Sequence, residues 1–236
     1  MKARGSRSAL TPGQLTIVWQ SVSLLLDYPD RDVLDRVDLV RSACSRLPPS
    51  VADPIRGFLH TLESTPLPQL QADYVETFDT RRRCNLFLTY FAHGDTRKRG
   101  MALLRFKQTY LRAGFELDDA ELPDHLCVVL EFAATVDQEL GLGLMLDHRA
   151  GLELLRLSLQ DMASPWAGLI DAVTATLPPL RGDERDAVRR LAAEGPPEEE
   201  VGLAPFAHPQ FSPGAAGGAS TGTTLLPMPS FPGARA

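Results

Sequence analysis

Cysteine is scarce in this 236-residue chain. Cys44, Cys84 and Cys127 are odd in number, far apart, and not at ligand spacing from one another or from a histidine. A disulfide framework and a zinc site are therefore not expected, and buried free thiols in a reducing compartment are. The five histidines, His60, His93, His125, His148 and His208, are scattered. The motifs H-E-x-x-H, G-x-S-x-G and G-x-x-x-x-G-K-[ST] are absent. The Gly141–Gly143 "GLG" lacks the rest of a dinucleotide fingerprint, and no strand pattern precedes it. No catalytic residue and no metal set is expected, so the chain reads as a non-enzyme.

Long hydrophobic runs are missing too. Nothing approaches the roughly 18 apolar residues that cross a bilayer. The N-terminus "MKARGSRSALTPGQLTIVWQSVSLLL" turns from basic to apolar, as a secretion signal does. Gln20, Ser21 and Ser23 interrupt it, and no small-residue cleavage site follows. A cytoplasmic protein without stable membrane insertion is expected.

What is present is helical patterning. The chain is 44% hydrophobic and 23% charged, with formal charge −6, enough apolar material for one sizeable core. Thr11-Pro12 reads as an N-cap and first turn, with Leu15, Val18, Val22 and Leu25 on one face. Asp30 reads as the cap of a second helix, and Pro48-Pro49 restarts a third. Thr65-Pro66 opens a helix carrying Leu67, Leu70, Tyr74 and Phe78 at i, i+3, i+7 and i+11. Residues 84–92 read as a short buried helix, with a strand as the alternative. Leu103, Phe106 and Tyr110 stripe the next helix, which Gly114 stops. A strongly apolar helix from Pro123 to about Leu140 should be central. Helices near 147–163, 165–177 and 183–194 complete an all-α, single-domain helical bundle over 11–194. From Gly195 the composition becomes rich in Pro, Gly and Ala without periodicity, which predicts a flexible tail over 195–236.

Two basic triplets, Arg81–Arg83 and Arg97–Arg99, bracket an apolar run in an acidic chain. The first follows a predicted helix, where cations gain roughly 0.3–1 kcal/mol each from the dipole. The second precedes one, where that sign is unfavourable, so it needs compensation: Asp95 as N-cap, nearby carboxylates, or an anionic partner. A helical regulatory or nucleic-acid-binding protein using both triplets is one reading. Against it, Phe87, Tyr90 and Phe91 lie in a run that a soluble protein buries rather than offers to bases. Asp124-His125 stands out separately, in the first turn of the most apolar helix. The dipole accounts for Asp124 but disfavours a charged His125. A simple cap and a peptide-binding pair both remain open on composition alone.

"YVETFDTRRRCNLFLTYFAHGDTRKRGMALLRFKQTYLRAGFEL", followed by "ELPDHLCVVLEFAA" and preceded by "SLLLDYPD", resembles the nitrate reductase molybdenum cofactor assembly chaperones, the delta subunits, over about Trp19–Gln160. Arg82, Arg83, Gly94, Asp95, Arg97, Arg99 and Gly100 belong to this signature. The resemblance implies an all-helical cytoplasmic chaperone, absent from the finished enzyme. Such a chaperone binds the apo catalytic alpha subunit through its N-terminal segment and a second surface. It holds that subunit competent for molybdenum cofactor insertion before membrane attachment, binding no cofactor stably itself. It implies no nucleic-acid partner and leaves a homodimer open. The "PDH" pair carries peptide binding over to Asp124 and His125. A groove lined by Tyr74, Phe78, Leu122 and Leu126, with Glu121 and Asp124 at its rim, would accept a short basic amphipathic segment.

Overall fold

The computed structural model describes residues 10–118 and 121–197. Among these are twelve α-helices and no strand. Local chemistry accounts for several of the boundaries. Helix α1 (Pro12–Leu25) starts in a reciprocal capping box. The Thr11 hydroxyl accepts from the Gln14 amide at 3.3 Å, and the Gln14 side chain accepts from the Thr11 amide at 3.0 Å. Asp30 caps α2 (Arg31–Asp35) by accepting from the Val33 amide at 2.9 Å, and α3 (Val37–Cys44) follows after one residue. Helix α4 (Pro49–Ser64) and α5 (Leu67–Tyr74) both begin at prolines.

The expected continuation through Phe78 is helical but widened, a π-type turn at Val75–Asp79. A 3-10 turn covers Arg82–Cys84. The apolar run after it is neither one helix nor a strand. Phe87 makes a single antiparallel bridge, and only Tyr90–His93 forms a helix, α6. Helix α7 (Arg97–Arg112) ends before Gly114, which has φ +75°.

The expected apolar helix from Pro123 to Leu140 is corrected at both ends. It begins at Leu126 and closes at Thr135, as α8. Asp137 accepts from the Leu140 amide at 2.8 Å and starts a new helix, α9 (Gln138–Asp147). The chain then runs on through α10 (Arg149–Asp161), α11 (Ala167–Thr176) and α12 (Gly182–Glu194).

Helix α8 is the central element, packed between α1 and α9, while α4 lies on α11 and α10 on α11 and α12. Gly141 is required by that packing, since a Cβ there would fall 2.3 Å from Ala133 Cβ. Trp19, Phe58, Phe106, Tyr110, Phe132 and Trp166 are the largest buried side chains. The indole of Trp19 donates to Thr176 Oγ1 at 3.0 Å and ties α1 to α11. Cys44 and Cys84 are buried free thiols, and Cys127 is partly buried and also free. No described helix is long and apolar enough to cross a membrane.

The segment expected to be a flexible tail lies outside the described residues except at its start, and that start is fastened. Arg82 Nη2 donates to the carbonyls of Pro196 at 3.2 Å and Pro197 at 2.9 Å, while its Nε donates to Tyr90 Oη at 2.8 Å. Gly94 completes the clasp. Its φ is +55°, and a Cβ there would stand 2.3 Å from the Pro197 carbonyl oxygen. Left-handed backbone and a backbone neighbour both exclude a side chain. Gly94→Ala is therefore expected to lower unfolding free energy by about 1–3 kcal/mol. Urea titration would measure it, and proteolysis should cut sooner near Pro197.

Candidate functional site

Two segments distant in sequence meet at the start of α8. The Leu88 amide donates to the Asp124 carbonyl at 3.0 Å, and the Leu126 amide donates to the Leu86 carbonyl at 2.9 Å. This short antiparallel bridge sets Phe87 opposite His125. Side chains alternate sides along such a pairing. Asp124 and Leu126 accordingly point inward, both with no exposed surface, while His125 points out.

Asp124 closes the pairing from inside. Its Oδ2 accepts from the Thr89 hydroxyl at 2.5 Å and from the Thr89 amide at 3.2 Å. Arg99 supplies the opposing charge, with Nη2 at 3.6 Å from the same oxygen and Nε donating to Thr89 Oγ1 at 3.2 Å. The guanidinium also lies 5.2 Å from the centre of the Phe87 ring, in cation–π range. A fully buried carboxylate is tolerated only with such partners. From the opposite side, Tyr110 Oη donates to the Pro123 carbonyl at 2.6 Å, and burial pushes this phenol's pKa up.

Outside the pairing lies a cleft of about 570 Å³. Leu24, Phe87, Leu122, Cys127 and Val128 give it an apolar surface. Asp27, Glu121 and Glu131 contribute acid, against one cation, Arg36. Leu122 is 42% exposed. The His125 ring meets Phe87 edge to face at 5.1 Å. Burial pulls the His125 pKa below the ordinary histidine value, with Asp27 and Asp124 acting in the opposite direction. Its ring is therefore neutral near pH 7. Burial also drives the Cys127 thiol well up, so it is no nucleophile at neutral pH. Among the described residues no group of three metal-binding side chains exists.

The sequence-predicted residues divide sharply. Glu121, Leu122 and His125 line the cleft. Asp124 is not at its rim but sealed inside, and Leu126 is core. Tyr74 and Phe78 are not among the residues lining this cleft. They meet each other tilted at 4.7 Å and Trp166 edge to face at 5.7 and 5.5 Å, and Tyr74 Oη donates to the Leu26 carbonyl at 3.2 Å. Ser23, Leu24, Asp27, Arg36, Phe87 and Glu131 were not picked out as site residues. Three of them, Ser23, Leu24 and Asp27, lie within "SLLLDYPD", a signal that could have found them.

The basic triplets also separate by residue. Arg81 pairs with Glu76 at 2.6 Å, and Arg82 forms the clasp already described. Arg83 is exposed in the 3-10 turn beside Gly195. Of the second triplet only Arg99 turns inward, while Arg97 and Lys98 are exposed. Asp95 is not the N-cap of α7. Thr96 holds that position, and Asp95 pairs with Arg99 at 3.4 Å. Gly100 faces open space, and packing gives no reason for a glycine there.

A family model described as nitrate reductase delta subunit matches residues 45–171. The chain belongs to the nitrate reductase delta subunit family. A nitrate reductase-like protein, NarX, of Mycobacterium tuberculosis is 38% identical over 160 residues. That match covers 68% of this chain but 24% of the relative, so the chain spans about a quarter of that protein's length. NarJ of Bacillus subtilis, named "Probable nitrate reductase molybdenum cofactor assembly chaperone", is 32% identical over 165 residues, covering 68% of this chain and 88% of its own. Escherichia coli K12 NarJ, named "Nitrate reductase molybdenum cofactor assembly chaperone", is 34% identical across 64% of this chain and 65% of its own.

Two outcomes follow for this delta-subunit-family chain. Arg99→Ala leaves the Asp124 carboxylate buried without its counter-charge and should cost about 2–4 kcal/mol. Lys98→Ala, one residue away on the surface, should stay within about 0.5 kcal/mol. In an Asp124→Asn background, urea unfolding should show a smaller cost for Arg99→Ala, because a neutral amide needs no counter-ion.

The second outcome concerns pH. His125 and His148 both titrate below the ordinary histidine value because both are partly buried. The unfolded chain therefore takes up protons first as pH falls. Stability is full above the unfolded value, near pH 6.5, and declines as pH drops below it. The Tm should fall between about pH 7.5 and about pH 5.5, and less steeply in His125→Gln.

Proposed function

We propose that this chain is the assembly chaperone of a respiratory nitrate reductase. It binds the apo catalytic alpha subunit in the cytoplasm, through that subunit's N-terminal segment. It keeps the subunit competent for molybdenum cofactor insertion before membrane attachment, and it leaves before the finished enzyme forms. It catalyses nothing and retains no cofactor.

The observation that carries this reading is the cleft at the Phe87–His125 bridge, in a chain whose relatives include proteins named as such chaperones. An apolar surface edged by Asp27, Glu121 and Glu131 suits a short, basic, amphipathic segment entering as a helix in a groove. Leu122 and His125 make the contact. Asp124 and Leu126 hold the bridge from inside, while Tyr74 and Phe78 belong to the core around Trp166. Electrostatic attraction raises the association rate and makes it salt-sensitive, while the modest apolar surface keeps affinity compatible with release.

Calorimetry with a synthetic peptide of the alpha subunit's N-terminus tests the cleft. Leu122→Asp with His125→Ala should weaken binding at least about tenfold while leaving the thermal melt within a few degrees of the parent. Unchanged affinity in the folded double variant would remove the cleft as the site. Removing the chain from its cells tests the function separately: alpha subunit should accumulate without molybdenum cofactor, and normal loading would refute the assembly role.

A further inference from the structure

Helix α7 has a second apolar face that nothing described covers. Its inner stripe is Ala102, Phe106 and Tyr110, all buried. On the opposite side Met101, Leu104 and Leu111 are 65%, 49% and 57% exposed. With exposed Gln108 they fall at intervals of three, four and three residues. That is the a/d seam of two heptads: Met101 and Gln108 at a, Leu104 and Leu111 at d. Two heptads drift by only about 20° each from a straight helix, so the seam stays on one face.

The flanking charges are all of one sign. The e positions beside this seam are Lys98, Arg105 and Arg112, seven residues apart and all exposed. Lys107 stands at g. Helix α7 contains six cations and no carboxylate, in a chain of formal charge −6. Among the described residues no carboxylate forms an ion pair with Lys98, Arg105 or Arg112. Beside Leu111 a notch of about 210 Å³ is lined by Tyr110, Phe115 and Leu117 together with Lys107 and Glu116, so it offers room for an incoming side chain next to one cation and one carboxylate.

These features select a partner. A second copy of this chain docking through α7 would set cation against cation at the e and g positions. A lipid surface asks for no heptad register, and here the e-position cations lie along one edge of the seam. We propose that the outer face of α7 is a docking surface for an acidic amphipathic helix of another protein. That helix would carry apolar residues at heptad a/d spacing and Glu or Asp at the flanking positions. The surface is distinct from the cleft and shares no residue with it.

The probe is a soluble three-heptad peptide with leucine at a and d and glutamate at e and g. The control is its lysine counterpart. Against the full chain, anisotropy should show binding of the glutamate peptide, weakened about tenfold or more by high salt, and none of the lysine peptide. The variant Lys98→Glu/Arg105→Glu/Arg112→Glu should reverse this preference. Leu104→Ser/Leu111→Ser should abolish binding of the glutamate peptide in a chain with an unchanged melt. The cleft peptide should neither compete with the glutamate peptide nor be affected by these variants. Three results would each overturn the proposal: no binding of the glutamate peptide, equal binding of both peptides, or binding only to phosphatidylserine vesicles. None of them bears on the cleft.

Discussion

The contact between Asp124, Thr89 and Arg99 is the constraint on which the site depends. One carboxylate, fully buried, accepts two hydrogen bonds from a single threonine and faces one guanidinium. Removed from water, each partner is costly without the others. Together they join three separate pieces of chain: the loop after Cys84, the start of α7 and the start of α8. The bridge, the Phe87–His125 ring pair and the cleft wall all follow from that junction. The apolar run and Arg99 of the second basic triplet, which look like separate features, are thus parts of one internal fastening.

Much of the bundle was legible because helix starts are written in local chemistry. Thr11-Pro12, Asp30, Pro48-Pro49 and Thr65-Pro66 stand where helices begin. The interruption at Val136-Asp137 was hidden, because apolar residues continue on both sides and only Asp137 marks the break. At the site, periodicity treated Asp124 and His125 as neighbours on one helical turn. They lie instead on a two-residue bridge, whose alternation sends them to opposite sides. No local pattern announces a bridge whose partner lies 38 positions away in sequence, at Phe87. Tyr74 and Phe78 show the same limit. An aromatic pair at helical spacing fits a groove wall or a core, and only Trp166, contributed from far along the chain, decides for the core here.

The protein divides its charge by location. Carboxylates gather around the cleft, while cations gather along the outside of α7. A net charge of −6 conceals this polarity. Two surfaces of opposite sign on one small bundle would favour different partners, a form of specificity that costs the fold little.

The bridge between Leu86–Leu88 and Asp124–Leu126 also fixes a register. Its alternation has a period of two, so a one-residue slip of one segment along the other would shift parity. The imidazole would then face the core and the carboxylate the cleft. Both faces would fail at once, although every residue type was kept. The site therefore depends on the register of this bridge as well as on its residue types.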